Sequence, residues 1–155
     1  MAHIHEKIDF TAEVFIVHKD RVLLRVHDKF HRWFSVGGHV EPDEDPNEAA
    51  VREVKEEVGL DVQLWAGNQK AHFKREGFME LIPPIALNRH RVTSTHEHVT
   101  LVYFATAKSD TLVLSEKEKT SDCRWFAEDQ LANVDLDPHI LHFAKLALET
   151  LGNRR

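Results

Sequence analysis

Three glutamates, Glu53, Glu56 and Glu57, are the residues of this chain whose types and spacing most clearly indicate a chemistry. They stand at positions i, i+3 and i+4, so on an α-helix their carboxylates share one face. Like charges at that spacing disfavour a helix by about 0.2–0.5 kcal/mol per pair. A bound cation would remove this cost, and a hard divalent ion such as Mg²⁺ prefers oxygen ligands of this kind. The trio therefore predicts a metal site on one helix face.

The residues around these acids follow a fixed pattern. It reads Gly38, five residues, Glu44, seven residues and then Arg52-Glu53-Val54-Lys55-Glu56-Glu57-Val58-Gly59-Leu60. This segment resembles the Nudix box, the signature of the Nudix hydrolases, and matches it without a gap. The resemblance is sharp over residues 38–60 and architectural over the rest of the chain. One departure is Val36, where many members have proline, and it removes no metal ligand.

The resemblance implies an enzyme that cleaves a nucleoside diphosphate linked to another moiety, with water as the nucleophile. Its metal would be Mg²⁺, with Mn²⁺ as the alternative, held by the three glutamates and by a backbone carbonyl of Gly37 or Gly38. Glu53 is the first choice for the general base that takes the proton of the water. Glu57 is the second catalytic candidate and the strongest candidate among the metal ligands.

The helix that carries the acids is the best-marked element of the chain. Asp45 is a good N-cap, and Glu48 stands where a capping box requires its acid. Gly59 provides a left-handed stop at the other end. The resemblance further implies that Glu44 and Arg52 pair with each other and hold the preceding loop against this helix.

Some members of the family use a glutamate from a distant loop. Glu116 and Glu118 lie in the polar run 115–122, where such an acid would sit, and Glu118 is the candidate for an additional metal ligand. The alternative interpretation of this run is a solvated turn.

Two residues before the box are candidates for substrate binding. Arg25 follows two leucines on a predicted strand, and several family members place a nearby arginine against substrate phosphate. The alternative is an exposed strand residue. Trp33 could form a wall of the substrate pocket, and packing in the core is an equal alternative.

The segment His96-Glu97-His98 puts two imidazoles on one face of a strand, a spacing that could hold Zn²⁺. No cysteine and no third ligand are near in the sequence, so histidines of the surface or the core are the preferred interpretation. Cys123 is interpreted as a small buried residue of a strand rather than a nucleophile.

The elements around the box predict an α+β protein with a mixed α/β arrangement. Strands are expected at 8–18, 21–26, 61–65, 79–82, 99–107 and 123–126, with a short extended segment at 33–36. Helices are expected from residue 46 up to Gly59, at 127–131 and at 138–151. The resemblance specifies the Nudix fold, an α/β/α sandwich around a mixed β-sheet, in one domain over residues 1–155.

Composition narrows the function classes. The 155 residues carry a net charge of −6 with 42% hydrophobic and 30% charged residues, typical of a globular domain. The acidic balance lacks the basic track of a nucleic-acid surface, so nucleic acid is an unlikely partner. No apolar run approaches the length of a membrane span. A single cysteine suits a reducing compartment, and a cytoplasmic location is expected.

The expected substrate is a small nucleotide or nucleoside diphosphate derivative. Compact size and the absence of proline between residues 60 and 79 favour hydrolysis of a (deoxy)nucleoside triphosphate, including oxidised ones, to the monophosphate and pyrophosphate. The alternatives are ADP-ribose, a nucleotide sugar or a dinucleoside polyphosphate. A regulator that binds nucleotide without turnover and a homodimeric assembly also stay open.

Overall fold

The computed structural model describes residues 4–67, 73–117 and 120–153. It contains ten strands and three helices in this part of the chain. They are β1 (Ile8–His18), β2 (Arg21–His27), β3 (Arg32–Phe34), β4 (Val36–His39), α1 (Pro46–Val58), β5 (Val62–Leu64), β6 (Lys74–Arg75), β7 (Phe78–Met79), β8 (Ala86–Arg91), β9 (Glu97–Ala107), β10 (Thr120–Phe126), α2 (Glu128–Leu131) and α3 (Pro138–Leu151).

A mixed eight-stranded sheet is built around β1 and β9, which run parallel from the pair Ile8–Glu97 to the pair Val17–Thr106. The other edge of β1 pairs antiparallel first with β4 and then with β2. Strand β10 extends the sheet beyond β2, and β3 pairs with the edge of β2 that also carries β1. Strands β8 and β5 follow each other along β9. The strands β6 and β7 form a separate hairpin.

The two faces of the sheet bury different halves of the core. On β1, Ala12, Val14 and Ile16 belong to the cluster that includes the buried residues of α1. Phe15 and Val17, which point the other way, belong to the cluster that includes those of α3. Helix, sheet and helix therefore form three layers, which confirms the predicted α/β/α sandwich.

The structure corrects one predicted strand and contains a longer strand that was not predicted. The expected strand 79–82 is wrong beyond its first residue, because the side chain of Asn47 on α1 binds the backbone of Ile82 on both sides. Its amide group donates to the carbonyl oxygen of Ile82 at 3.0 Å and accepts from the N–H of Ile82 at 2.8 Å. Strand β8 was not predicted. It is a mostly exposed edge strand with a polar sequence, so it shows no hydrophobic alternation.

No helix within the described residues combines the length and the apolar character needed to cross a membrane.

Candidate active site

Helix α1 holds its register through caps at both ends. The carboxylate of Asp45 accepts the N–H of Glu48 at 2.9 Å, and the carboxylate of Glu48 accepts the N–H of Asp45 at 2.9 Å. At the other end Gly59 adopts φ +75° and donates its N–H to the carbonyl of Lys55. The observed caps confirm the predicted helix and its boundaries. Both caps bind groups close to them in the sequence.

The three glutamates share the face of α1 that lies towards β4 and β2, but they differ in exposure. Glu53 and Glu57 are each 1% exposed, whereas the side chain of Glu56 is 52% exposed. Two of the carboxylates are therefore buried, and the third is about half exposed to water. An ionised carboxylate is costly to bury without a compensating partner, so the contacts of Glu53 and Glu57 determine what the site can do.

Gly37 and Gly38 bring the backbone of β4 against both β1 and the acidic helix. A Cβ on Gly37 would lie 2.1 Å from the carbonyl oxygen of Ala12, and a Cβ on Gly38 would lie 2.3 Å from Oε1 of Glu53. Backbone lies in the way at Gly37, so this position requires glycine, whereas a side chain at Gly38 would displace the Glu53 carboxylate. The Glu53 carboxylate therefore lies directly against the backbone of Gly38.

Arg52 joins the loop before α1 to the acids of the helix. Its guanidinium forms a bidentate contact with Glu44, in which Nε donates to Oε2 at 2.9 Å and Nη2 donates to Oε1 at 2.6 Å. Nη2 also donates to the carbonyl of His39 at 3.0 Å, while Nη1 donates to Glu53 at 3.0 Å and to Glu56 at 3.1 Å. The hydrogen bonds from Arg52 lower the pKa of Glu44, and the same hydrogen bonds to Glu44 raise the pKa of Arg52. The pairing expected of Arg52 and Glu44 is present in the structure.

Arg25 is buried, so the alternative of an exposed strand residue is wrong, whereas its role in substrate binding stays a prediction. Its side chain is 9% exposed, and it binds Glu57 with two nitrogens, Nε to Oε2 at 2.8 Å and Nη2 to Oε1 at 3.2 Å. A two-pronged, charge-assisted contact of this kind fixes the orientation of the carboxylate. The structure thus brings Arg25 to the acidic helix, where it compensates the buried charge of Glu57.

Trp33 lies against the core beneath α3. Its ring meets that of Phe126 edge to face, with centroids 5.1 Å apart, and the guanidinium of Arg124 lies over it at 5.8 Å. These contacts correspond to the core interpretation of Trp33.

The loop after β9 runs alongside the C-terminal end of α1. The N–H of Val113 donates to the carbonyl of Val58 at 2.9 Å, and the N–H of Ser115 donates to the carbonyl of Glu57 at 3.2 Å. Glu116 follows immediately, in an exposed turn. Glu118, the predicted additional metal ligand, lies outside the described residues.

The acids of α1 offer a hard cation an all-oxygen environment. Carboxylates of Glu53 and Glu57, the more exposed carboxylate of Glu56 and the adjacent glycine backbone are the donors that Mg²⁺ and Mn²⁺ prefer. In the structure their charges are balanced by Arg25 and Arg52. The residues present therefore fit the expected metal in their chemistry.

A second group of metal-capable side chains lies on the opposite face of the sheet. Within the described part of the chain, Asp9, His39 and His98 are the group of three whose ligand atoms all lie within 4.8 Å of one another. The sequence places His98 beside His96, but it gives no signal for Asp9 and His39. Neither is near His98 in the sequence, and only the pairing of β1 with β4 and β9 brings them together.

Comparisons with known proteins agree with this architecture. The model of the NUDIX domain matches residues 9–146. A solved structure of a Nudix-family hydrolase from Clostridium perfringens is similar over 92% of this chain and 97% of its own, with 34% sequence identity and a TM-score of 0.81.

Two curated proteins are similar over shorter stretches. The asymmetrical bis(5'-nucleosyl)-tetraphosphatase of Rattus norvegicus is 37% identical over 59 residues, which are 38% of this chain and 36% of that protein. The CTP pyrophosphohydrolase of Escherichia coli (strain K12) is 35% identical over 79 residues, which are 49% of this chain and 57% of that protein. The chain thus spans about a third of the length of the first relative and somewhat over half of the length of the second.

Proposed function

The chain belongs to the Nudix hydrolase family, whose members act on pyrophosphate bonds. We propose that it hydrolyses nucleoside triphosphates to the monophosphate and pyrophosphate, with Mg²⁺ as the metal. The observation that carries the proposal is the pair of buried carboxylates, Glu53 and Glu57, on one helix face against the glycine backbone of β4. Every acid of the box is present beside them.

Each residue of the box has a separate role in this proposal. Glu53, Glu56 and Glu57 bind the metal, and Mn²⁺ is the alternative to Mg²⁺. When bound, the ion supplies the positive charge that stabilises the phosphoryl oxygens. Glu53 also accepts the proton of the attacking water, because its carboxylate is buried and held in one place by Arg52 and by the Gly38 backbone.

The two arginines act through the acids. Arg25 orients Glu57 with two hydrogen bonds, and Arg52 links Glu44 to Glu53 and Glu56. Both are positioning residues. Each arginine places a positive charge beside the acids, so the buried carboxylates have a compensating partner.

The choice of substrate is supported by the relatives. The Escherichia coli relative is named for the hydrolysis of CTP, a nucleoside triphosphate. The name of the Rattus norvegicus relative describes a dinucleoside tetraphosphate, which makes such compounds the second candidate class. Both substrates carry a nucleoside linked through a chain of phosphates, so the same metal-bound acids would serve either.

A panel of substrates tests the proposal. The purified chain is incubated with Mg²⁺ and with the common and oxidised nucleoside triphosphates, a dinucleoside tetraphosphate, ADP-ribose and a nucleotide sugar, and the products are separated by ion exchange. We expect a triphosphate to give monophosphate and pyrophosphate at the highest kcat/KM. Turnover confined to the other three classes would refute the substrate assignment.

A matched pair of variants tests the residues. Glu57→Gln keeps the shape of the side chain and should reduce kcat by roughly 100-fold or more, because the metal that stabilises transition-state charge would lose a charged ligand. Glu149→Gln makes the same chemical change at an exposed position of α3 and should leave kcat unchanged. Equal activity of the two variants would contradict the role of Glu57.

A further inference from the structure

We propose that Asp9, His39, His96 and His98 form a second metal site, specific for Zn²⁺ or a metal of similar ligand preference and separate from the acids of α1. Asp9 lies at the start of β1, His39 at the end of β4, His98 at the start of β9, and His96 immediately before β9. Imidazole nitrogen and carboxylate oxygen are common ligands of Zn²⁺, whereas the box acids offer oxygen alone. The inference does not rest on the proposed substrate.

The spacing of the ligand atoms suits a tetrahedral ion. Two ligands at about 2.0–2.1 Å from zinc lie roughly 3.3 Å apart when the geometry is tetrahedral. Nε2 of His39 lies 3.3 Å from Oδ2 of Asp9, and Nε2 of His96 lies 3.3 Å from the same oxygen. A nitrogen of His98 lies within 4.8 Å of the ligand atoms of Asp9 and His39. Asp9, His39 and His98 thus form the centre of the site, and His96 approaches it through Asp9.

The second layer of contacts already orients two of the ligands. Oδ1 of Asp9 accepts the N–H of His5 at 2.6 Å, and Oδ2 accepts the N–H of Ile4 at 3.1 Å. Nδ1 of His96 lies 2.9 Å from the carbonyl oxygen of Glu6. Metal-binding histidines commonly donate their other ring nitrogen to such a carbonyl, and metal-binding carboxylates are commonly hydrogen-bonded in turn.

The contact with Glu6 also defines the form of the His96 ring. A carbonyl oxygen can only accept, so the hydrogen lies on Nδ1. In the neutral ring Nε2 then carries a lone pair and lies 3.3 Å from the Asp9 carboxylate. The lone pair and the carboxylate oxygen would repel each other, whereas a cation between them would attract both. A positively charged His96 ring would satisfy the same geometry without a metal, and this is the rival explanation that the experiment separates.

Burial favours a site with few waters. Asp9 is fully buried and His96 nearly so, while His39 and His98 are partly buried. The rings of His39 and His98 meet edge to face with centroids 4.9 Å apart. His39 also follows Gly38 directly, and its carbonyl receives Arg52. An occupied site would therefore tie the starts of β1 and β9 to the strand that leads into the acidic helix.

Zinc binding by the unmodified chain tests the proposal. The protein is stripped with a chelator and titrated with Zn²⁺ against a chromophoric competitor, and its melting temperature is recorded with and without the ion. We expect one tightly bound equivalent and an increase in Tm on addition of zinc. Substitution of Co²⁺ should give the visible absorption bands of a tetrahedral site with nitrogen ligands.

Variants locate the bound ion. His98→Ala and Asp9→Asn should each weaken zinc affinity by roughly 100-fold or more and remove the increase in Tm. His142→Ala, at an exposed position of α3, and Glu56→Gln, in the acidic box, should bind zinc as the unmodified chain does. Far-UV circular dichroism confirms that Asp9→Asn is folded before its affinity is compared.

Two results would overturn the site. One is an unmodified chain that neither retains a zinc equivalent nor gains stability from the ion, which would leave the charged His96–Asp9 pair as the explanation. The other is zinc affinity that survives in both His98→Ala and Asp9→Asn, or that falls in Glu56→Gln instead, because the ion would then be bound elsewhere.

Discussion

The contact between Arg25 and Glu57 gives the sharpest test of how the acidic helix is stabilised. The perturbation is Arg25→Met, which keeps an unbranched apolar stem and removes the guanidinium. Glu57 would stay 1% exposed and would lose both of its hydrogen bonds from Arg25. Removing one partner of a buried ion pair typically lowers the free energy of unfolding by about 3–5 kcal/mol. We expect a loss in that range.

The same strand supplies a matched control. Arg21 pairs with Asp110 at 2.8 Å, the distance of the shortest contact between Arg25 and Glu57. Its side chains are 38% and 50% exposed, against 9% and 1% for the buried pair. Because water screens the exposed pair, Arg21→Met should cost about 1 kcal/mol or less. Burial is then the main difference between the two substitutions.

Urea unfolding in the presence of EDTA measures both losses, since the chelator prevents a divalent ion from replacing the missing charge. The slope of the transition must stay constant for the two free energies to be compared. The double variant Arg25→Met/Glu57→Gln should be more stable than the sum of its single losses predicts, because the buried charge at position 57 is then removed together with its partner. The reasoning is refuted if Arg25→Met costs no more than Arg21→Met, or if the two single losses simply add.

Three further predictions concern other contacts. Gly59→Ala should lower the free energy of unfolding by about 1 kcal/mol or more, since φ is +75° and the new methyl would lie 2.7 Å from Cβ of Val113, and a similar Cm would contradict this. Glu13 raises the pKa of His139, so the stabilising effect of this contact should be fully present below about pH 6.5 and disappear as pH rises through the higher folded value. Unfolding of His139→Gln beside the unmodified chain measures it, and a difference that grows with pH would be the wrong sign. Burial raises the pKa of Cys123 to about 12, so a disulfide reagent at about pH 8 should label this thiol quickly only after urea is added, and fast labelling of the folded chain would contradict the burial.

The features that sequence predicted best are those whose causes lie close together in the chain. Helix α1 begins at Pro46 and ends before Gly59 because its capping residues are three or four positions from the groups they bind. Strand β1 was predicted with its observed bounds, since its residues alternate and its turn follows directly. Strand β8 was missed because Leu87, its large apolar residue, is 65% exposed and points away from any core.

The parts of the site that sequence left open depend on contacts between distant residues. Arg25 and Glu57 are 32 positions apart, and nothing in the pattern around Arg25 shows that its guanidinium meets a carboxylate of the helix. Asp9 and His39 join His98 only through the order of strands in the sheet. The box identified the acids by resemblance, whereas their charge-balancing partners required the three-dimensional arrangement.

The parallel pairing at the centre of the sheet has a consequence for biosynthesis. Strand β1 leaves the ribosome well before its partner β9, as the contact between Thr11 and Thr100, 89 positions apart, illustrates. Closing so long a loop is slow, and the apolar strand stays uncovered in the meantime. The nascent chain is therefore expected to depend on chaperones until β9 has been translated.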